Sequence, residues 1–206
     1  MNKFWRVYSV VILLFPITEA LSQCNSETFT MVGDTATQTY TLVKKDGEFK
    51  KLDPEKYTGS LTLHENAHFA VFAIKGYKGW MAIDYHEKPL FEVFNILEGE
   101  PWPDMLIENR IRVVGENGKI GFANECGEIV IAPQFTFVTH FHAGKAIIVE
   151  DCKKIRPYRD KQGYRIVVEC LHGYINNHGK VIKLGNYTFE EIKKEIGWEP
   201  YNDAHY

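Results

Sequence analysis

One short phrase occurs three times in this 206-residue chain, and a chain that repeats itself at such spacing has few folds open to it. The phrase is a Lys or His, a Gly, an aromatic residue, small or apolar residues, an Asp or Asn, and then a turn. It reads Gly79-Trp80-Met81-Ala82-Ile83-Asp84, then Gly121-Phe122-Ala123-Asn124, then Gly173-Tyr174-Ile175-Asn176. The glycines lie 42 and then 52 residues apart. The turns that follow are YHEKPL, ECGEIVI and NHGKVI.

Each part of the phrase has a physical reading. Glycine lets two backbones come close or permits an unusual dihedral. The aromatic residue supplies a large plate to bury. Asp or Asn with a Gly soon after makes a hairpin turn. The next run, Glu128–Ile131 in the middle unit, is then expected to return antiparallel and to stop at Pro133, which cannot donate to a sheet. Phe135 and Phe141 are expected to anchor the connection to the next strand, AIIV. The first unit has FEVFNILEGEPWPDMLIENRIRVV in place of this stretch. One such unit cannot bury its own apolar face, so neighbouring units must stack. The expected architecture is all-β: stacked antiparallel β-hairpin repeats with a short C-terminal α-helix.

Four segments are expected. Residues 1–22 read as a secretory signal peptide. Lys3 and Arg6 give a basic start, and VYSVVILLFPI is almost wholly apolar. That run is shorter than the roughly 20 residues that span a bilayer, and it suits a signal core. Ala20 and Ser22 place the cut after Ser22. The rivals are a buried N-terminal helix, or lipidation of Cys24 just downstream. Residues 23–60 read as an N-terminal β and loop extension, with short strands near Tyr40–Val43 and Phe49–Leu52. Residues 61–183 are the repeat region. Residues 184–206 hold a helix over Phe189–Ile196, with Thr188 and Glu191 as a capping box and Gly197 as its stop, and then a tail.

Charge and cysteine content narrow the function. The net charge is −3, and −4 once Lys3, Arg6 and Glu19 are removed with the signal. There is no basic excess for nucleic acid and no later segment apolar enough to span a membrane. Export would permit disulfides. Cys152 and Cys170 are the best pair, because each ends an apolar β-like run. The charged stretch KKIRPYRDKQGY between them reads as a loop, whose closure is worth roughly 3 kcal/mol. Cys126, in a turn with no activating cation beside it, makes a poor nucleophile.

The repeat phrase resembles the WG-repeat family, also called KWG repeats. The resemblance rests on the Lys-x-Gly-Phe/Trp start, the Gly-x-Val-Ile-x-Pro-x-Phe continuation and the Phe-x-x-Gly-x-Ala-x-x-Val close. Lys119 to Val149 matches almost completely, and the units at Lys78 and His172 match in part. The signature positions are Gly79, Trp80, Gly121, Phe122, Gly173 and Tyr174. Trp itself stands only in the first unit. The family is common among exported bacterial proteins, and the Ser22/Gln23 cut resembles Bacteroidetes secretory signals. The resemblance implies a repeat scaffold with an interaction role, no cofactor and no catalytic residues.

Three local patterns bear on chemistry. His64-Glu65-Asn66-Ala67-His68 spells HExxH, which binds zinc when a helix sets both histidines on one face with Glu65 as base. The flanking alternation is strand-like, and no third ligand follows at a familiar spacing. His140 and His142 alternate as on a solvated strand face. Glu98, Glu100 and Asp104 surround Pro101-Trp102-Pro103, a composition that suits a recognition loop with Trp102 as its anchor. A plain packing tryptophan between prolines is the other reading of the same loop. The expected function is an exported non-enzymatic module binding a protein or glycan partner. The alternative is an exported zinc metallohydrolase using His64 and His68.

Overall fold

The computed structural model describes residues 24–34, 37, 39–61, 65–96, 102–160 and 163–201. The expected signal peptide, His64, Glu98 and Glu100 lie outside these residues. An N-terminal meander of β1 (Phe29–Asp34), β2 (Thr39–Lys44) and β3 (Phe49–Lys51) forms a three-stranded sheet. A seven-stranded antiparallel sheet follows in chain order. Its strands are β4 (Tyr57–Leu61), β5 (Ala70–Ile74), β6 (Trp80–Ile83), β7 (Pro89–Val93), β8 (Arg110–Val114), β9 (Ile120–Asn124) and β10 (Ile129–Phe135). A four-stranded sheet contains β11 (Phe137–Val138), β12 (Lys145–Asp160), β13 (Gly163–Asn176) and β14 (Val181–Gly185). Helix α1 (Phe189–Ile196) closes the chain with the expected capping box and a left-handed Gly197.

The three repeat phrases fold into one hairpin, and the Asp or Asn sets it. Asp84 Oδ1 accepts from His86 N at 2.8 Å and Lys88 N at 2.9 Å. Asn124 Oδ1 accepts from Cys126 N at 3.1 Å and Glu128 N at 2.9 Å. Asn176 Oδ1 accepts from His178 N at 3.1 Å and Lys180 N at 3.0 Å. Three residues beyond each anchor the chain turns to positive φ, at Glu87, Gly127 and Gly179. The pairing that follows is also shared. Ile83, Ala123 and Ile175 pair with Pro89, Ile129 and Val181. Ala82, Phe122 and Tyr174 pair with Phe91, Ile131 and Lys183. Leu90, Val130 and Ile182 are therefore the extra residue of the same bulge in all three units.

This shared register shifts the first unit. Counted from its anchor, Met81 and not Gly79 occupies the place of Gly121 and Gly173, and Ala82 that of Phe122 and Tyr174. The reason is steric. A Cβ on Gly121 would collide with Ile131 O, and one on Gly173 with Lys183 O. In the first unit Met81 pairs regularly with Glu92 and a side chain fits. Gly79 is needed instead for its dihedral, φ 146°. Two further expectations fail. β10 continues through Pro133 to Phe135, as an edge strand can. KKIRPYRDKQGY is mostly strand, because β12 and β13 run on as a long hairpin.

Four apolar clusters divide the molecule into layers. Phe29, Leu42, Leu52 and Tyr57 of the extension cover Ala70, Phe72 and Ile83 of the first unit. The opposite side of that unit, with Val71, Ala82 and Phe91, packs on Ile111, Val113 and Ala123 of the second. Ile120, Phe122 and Ile131 then pack on Ala146, Ile148 and Ile175 of the third. Ile147 and Tyr174 finally meet Ile192, Phe189 and Trp198 of the C-terminal helix and tail. Alternation along each strand gives every unit two apolar faces. Stacking buries both, and the extension and helix close the ends.

If the anchor sets the hairpin, Asn124→Ala strands two backbone N–H groups, one buried at Cys126 and one part-buried at Glu128. Urea unfolding is expected to show a loss of about 1–3 kcal/mol. Asn176→Ala, in a more exposed turn, is expected to lose less.

Candidate functional site

The first unit carries a loop the others lack, and the structure gives it a firm footing. Beyond β7, Phe94 N still donates to Arg112 O at 3.0 Å, which keeps the chain beside β8. The chain then doubles back. Ile96 N donates to Trp102 O at 2.9 Å, Asp104 N to Phe94 O at 2.8 Å, and Asn95 faces Pro103. Trp102 is thus held beside Ile96, 52% exposed. The other described tryptophans are more sheltered, Trp198 by the helix and Trp80 against the contact between the first two units.

Asp104 does something else. It is 3% exposed and grips Arg112, itself 7% exposed. Arg112 Nη2 donates to Asp104 Oδ1 at 2.7 Å and Nε to Oδ2 at 3.0 Å. The Arg112 backbone N donates to the same Oδ2 at 2.8 Å. Arg112 Nη1 donates to Val138 O at 3.2 Å, and the guanidinium carbon lies 4.6 Å from the Phe94 ring centre. A bidentate, fully hydrogen-bonded pair is the form in which burial of two charges is tolerable. One arginine therefore ties the return of the Trp102 loop to β8 and to the lead-in of the third unit. Of the expected contact residues, Trp102 faces solvent and Asp104 is committed inside the chain. Arg112 escaped the sequence reading; its only signal was an arginine between Ile111 and Val113 in the run RIRVV.

The HExxH segment lies elsewhere. Glu65 and Asn66 form a turn, and Ala67 pairs with Phe29 as an isolated bridge. Asn66 has φ 56°, so these residues do not continue a helix. His68 Nδ1 lies 2.9 Å from Ser26 Oγ, which also donates to Cys126 O at 3.3 Å. A cleft of about 270 Å³ opens here, lined by Cys24, Asn66, His68, Phe69, Asn109 and Glu125 among others. Among the described residues no three His, Cys, Asp or Glu side chains cluster as metal ligands would.

All four cysteines are bridged. Cys152 pairs with Cys170 across the foot of the long hairpin, as expected from sequence. Cys24 pairs with Cys126 over a separation of 102 residues, which no local pattern announces. Of the pair His140 and His142, the first departs from expectation. His140 is not on a strand: its ring packs 4.8 Å from Trp198, and Trp198 Nε1 donates to its carbonyl at 2.9 Å. Burial holds its imidazole below the usual histidine range.

Residues 120–153 match the model of the WG containing repeat. The match runs from β9 into β12, through the whole middle unit, and supports a repeat of that type there. No curated protein and no solved structure matches the chain.

Asp104→Asn keeps the shape of the pair but leaves the Arg112 charge buried and uncompensated. The expected loss is about 3–5 kcal/mol by denaturant unfolding, with the exposed Trp102 fluorescence also perturbed.

Proposed function

We propose that the chain is an exported, non-enzymatic repeat module that holds Trp102 out to a protein or glycan partner. The observation that carries this reading is the contrast within one loop. Its tryptophan is half exposed, while the aspartate two residues on is locked to a buried arginine. An aromatic anchor on a rigid base binds with little ordering cost, which is how contact hot spots work. Glu98 and Glu100, close before Trp102 in sequence, are proposed as further contact residues.

The WG-type repeat supplies the scaffold, and its stacking leaves the connecting segments free to vary. Export accords with two disulfides, which persist in oxidising compartments. No helix among the described residues is long and apolar enough to cross a membrane. The Cys24–Cys126 bridge also occupies the sulfur that lipidation would need, which argues against the lipidated alternative.

Mass spectrometry of the exported protein tests the processing. A chain beginning at Gln23 with two disulfides is expected, and a lipid adduct on Cys24 would refute it. Binding is tested by titrating the purified chain with a glycan panel and with proteins of the same compartment, following tryptophan fluorescence. Trp102→Ala is expected to weaken the partner found at least about tenfold, the scale of a hot-spot residue, while leaving the urea midpoint unchanged. Binding that survives Trp102→Ala intact sinks the reading.

A further inference from the structure

The cleft beside the Cys24–Cys126 bridge gathers polar side chains that the fold does not use. Asn66 and His68 come from the segment before β5, Asn109 from the turn before β8, and Glu125 from the anchored turn after β9. Cys24, Ala67, Phe69 and Leu106 complete the lining. Among the described residues the side chains of Asn66, Asn109 and Glu125 have no hydrogen-bond or ionic partner; only the backbones of the two asparagines are engaged. His68 uses one ring nitrogen. Ser26 gives its single hydroxyl hydrogen to Cys126 O at 3.3 Å, so it accepts from His68 Nδ1 at 2.9 Å. In the neutral ring this leaves the lone pair of Nε2 without a partner. Glu108, next to Asn109, is the contrast: its two oxygens accept from Ala143 N at 2.6 Å and Gly144 N at 3.0 Å.

The backbone beneath these groups is fixed. Asn66 N donates to Thr30 Oγ1 at 3.2 Å, and Ala67 O accepts from Phe29 N at 2.9 Å. Ile107 and Arg110 exchange both backbone hydrogen bonds around Asn109. Glu125 stands between the turn anchor Asn124 and the bridged Cys126. Asn66 and Asn109 both take left-handed backbone, φ 56° each, which asparagine adopts more readily than most side-chain-bearing residues. Groups held on so rigid a base lose little freedom when a ligand arrives.

We propose that this cleft binds a single neutral sugar unit, held by Asn66, His68, Asn109 and Glu125. The chemistry of the lining selects that ligand. No lysine or arginine is among the described lining residues, so a phosphate, sulfate or carboxylate would find no counter-charge. Two amides, a carboxylate and an imidazole lone pair offer both donors and acceptors, with acceptors in excess. Hydroxyl groups match such a set, because each can donate and accept. The half-buried Ala67 and Leu106 add an apolar wall for the C–H face of a ring. The cleft volume of about 270 Å³ falls just below the ~300–1,000 Å³ of sites for drug-sized ligands, which suits one ring and not a chain of them. The site lies where the first two units meet and uses none of the contact residues proposed around Trp102, so it stands or falls separately from that reading.

Nuclear magnetic resonance on the purified, disulfide-bonded chain tests the proposal, with glucose, galactose, mannose and N-acetylglucosamine each titrated in turn. At least one is expected to bind with a dissociation constant on the order of 1 mM. The side-chain amide signals of Asn66 and Asn109 and the backbone signal of Glu125 are expected to shift together. Asn109→Gly, which keeps the left-handed backbone, and Glu125→Ala are each expected to raise that constant about tenfold or more, the effect of losing one good hydrogen bond. Trp102→Ala is expected to leave it unchanged. The proposal is overturned if none of the four sugars shifts these signals, or if binding is indifferent to both cleft substitutions. Binding lost with Trp102→Ala places the sugar on the other loop and overturns it too. So does a stronger response to inorganic phosphate or to tetramethylammonium than to every sugar. If a variant loses the wild-type fold, the wild-type map decides: shifts centred on the cleft support the site, and shifts centred elsewhere overturn it.

Discussion

The whole stack depends on a contact between near neighbours in sequence. In each unit one side-chain oxygen, of Asp84, Asn124 or Asn176, receives two backbone N–H groups of the turn that follows. That pair of bonds fixes where the chain reverses. The reversal fixes which residue is bulged, and the bulge fixes which side chains face which way. A one-residue slip would move every apolar side chain to the other face. Because both faces of each unit are buried, such a slip would spoil two interfaces together. A short-range hydrogen bond therefore sets the register of all the long-range packing.

The consequence is a molecule whose interfaces are alike in plan and different in detail. Each junction takes the Phe122-type face of one unit against the Ala123-type face of the next. The junction between the second and third units is the one with a buried charge nearby, since Arg112 pairs in register with Phe122 and reaches Val138. Desolvating a guanidinium is tolerable there only because Asp104 supplies both carboxylate oxygens. The first unit's long insertion is thus what delivers the counter-charge. The loop that presents Trp102 and the pair that stabilises the junction are parts of one device, and removing residues through Asp104 would damage both.

What the sequence disclosed follows the range of the forces involved. The all-β class, the helix at Phe189–Ile196 and its caps were legible, because alternation, capping and turn chemistry act within a few residues. The Cys152–Cys170 pair was legible because both cysteines end neighbouring apolar runs. The equivalence of Met81 with Gly121 was hidden, since Gly79-Trp80 looks like the other signatures and only the bulge register exposes the offset. Asp104 read as a surface carboxylate for the same reason. Its partner, Arg112, belongs to the next strand, and burial of the pair depends on Phe94 and Val138. His140 was misplaced because the tail that covers it, Trp198 to Tyr201, is separated from it by about sixty residues.

The two disulfides sharpen the asymmetry between the ends of the stack. A repeat array opens most readily from its terminal layers, which have a neighbour on one side only. At the N-terminal end Cys24 reaches past the first unit to Cys126, in the anchored turn of the second, and closes a loop of 102 residues. In the chain-entropy model a loop of that size is worth about 5 kcal/mol. The extension cannot peel away from the first unit without carrying that tether. At the C-terminal end α1 and its tail have no covalent tie. They rest on Ile192, on Trp198 and on the bond from Trp198 Nε1 to His140 O. Opening should therefore begin at the helix, which uncovers Ile147 and Tyr174, while the layers bearing the Trp102 loop remain closed between two neighbours. The Trp102 loop sits where the stack is hardest to open, and the exposed β14 edge sits where it is easiest.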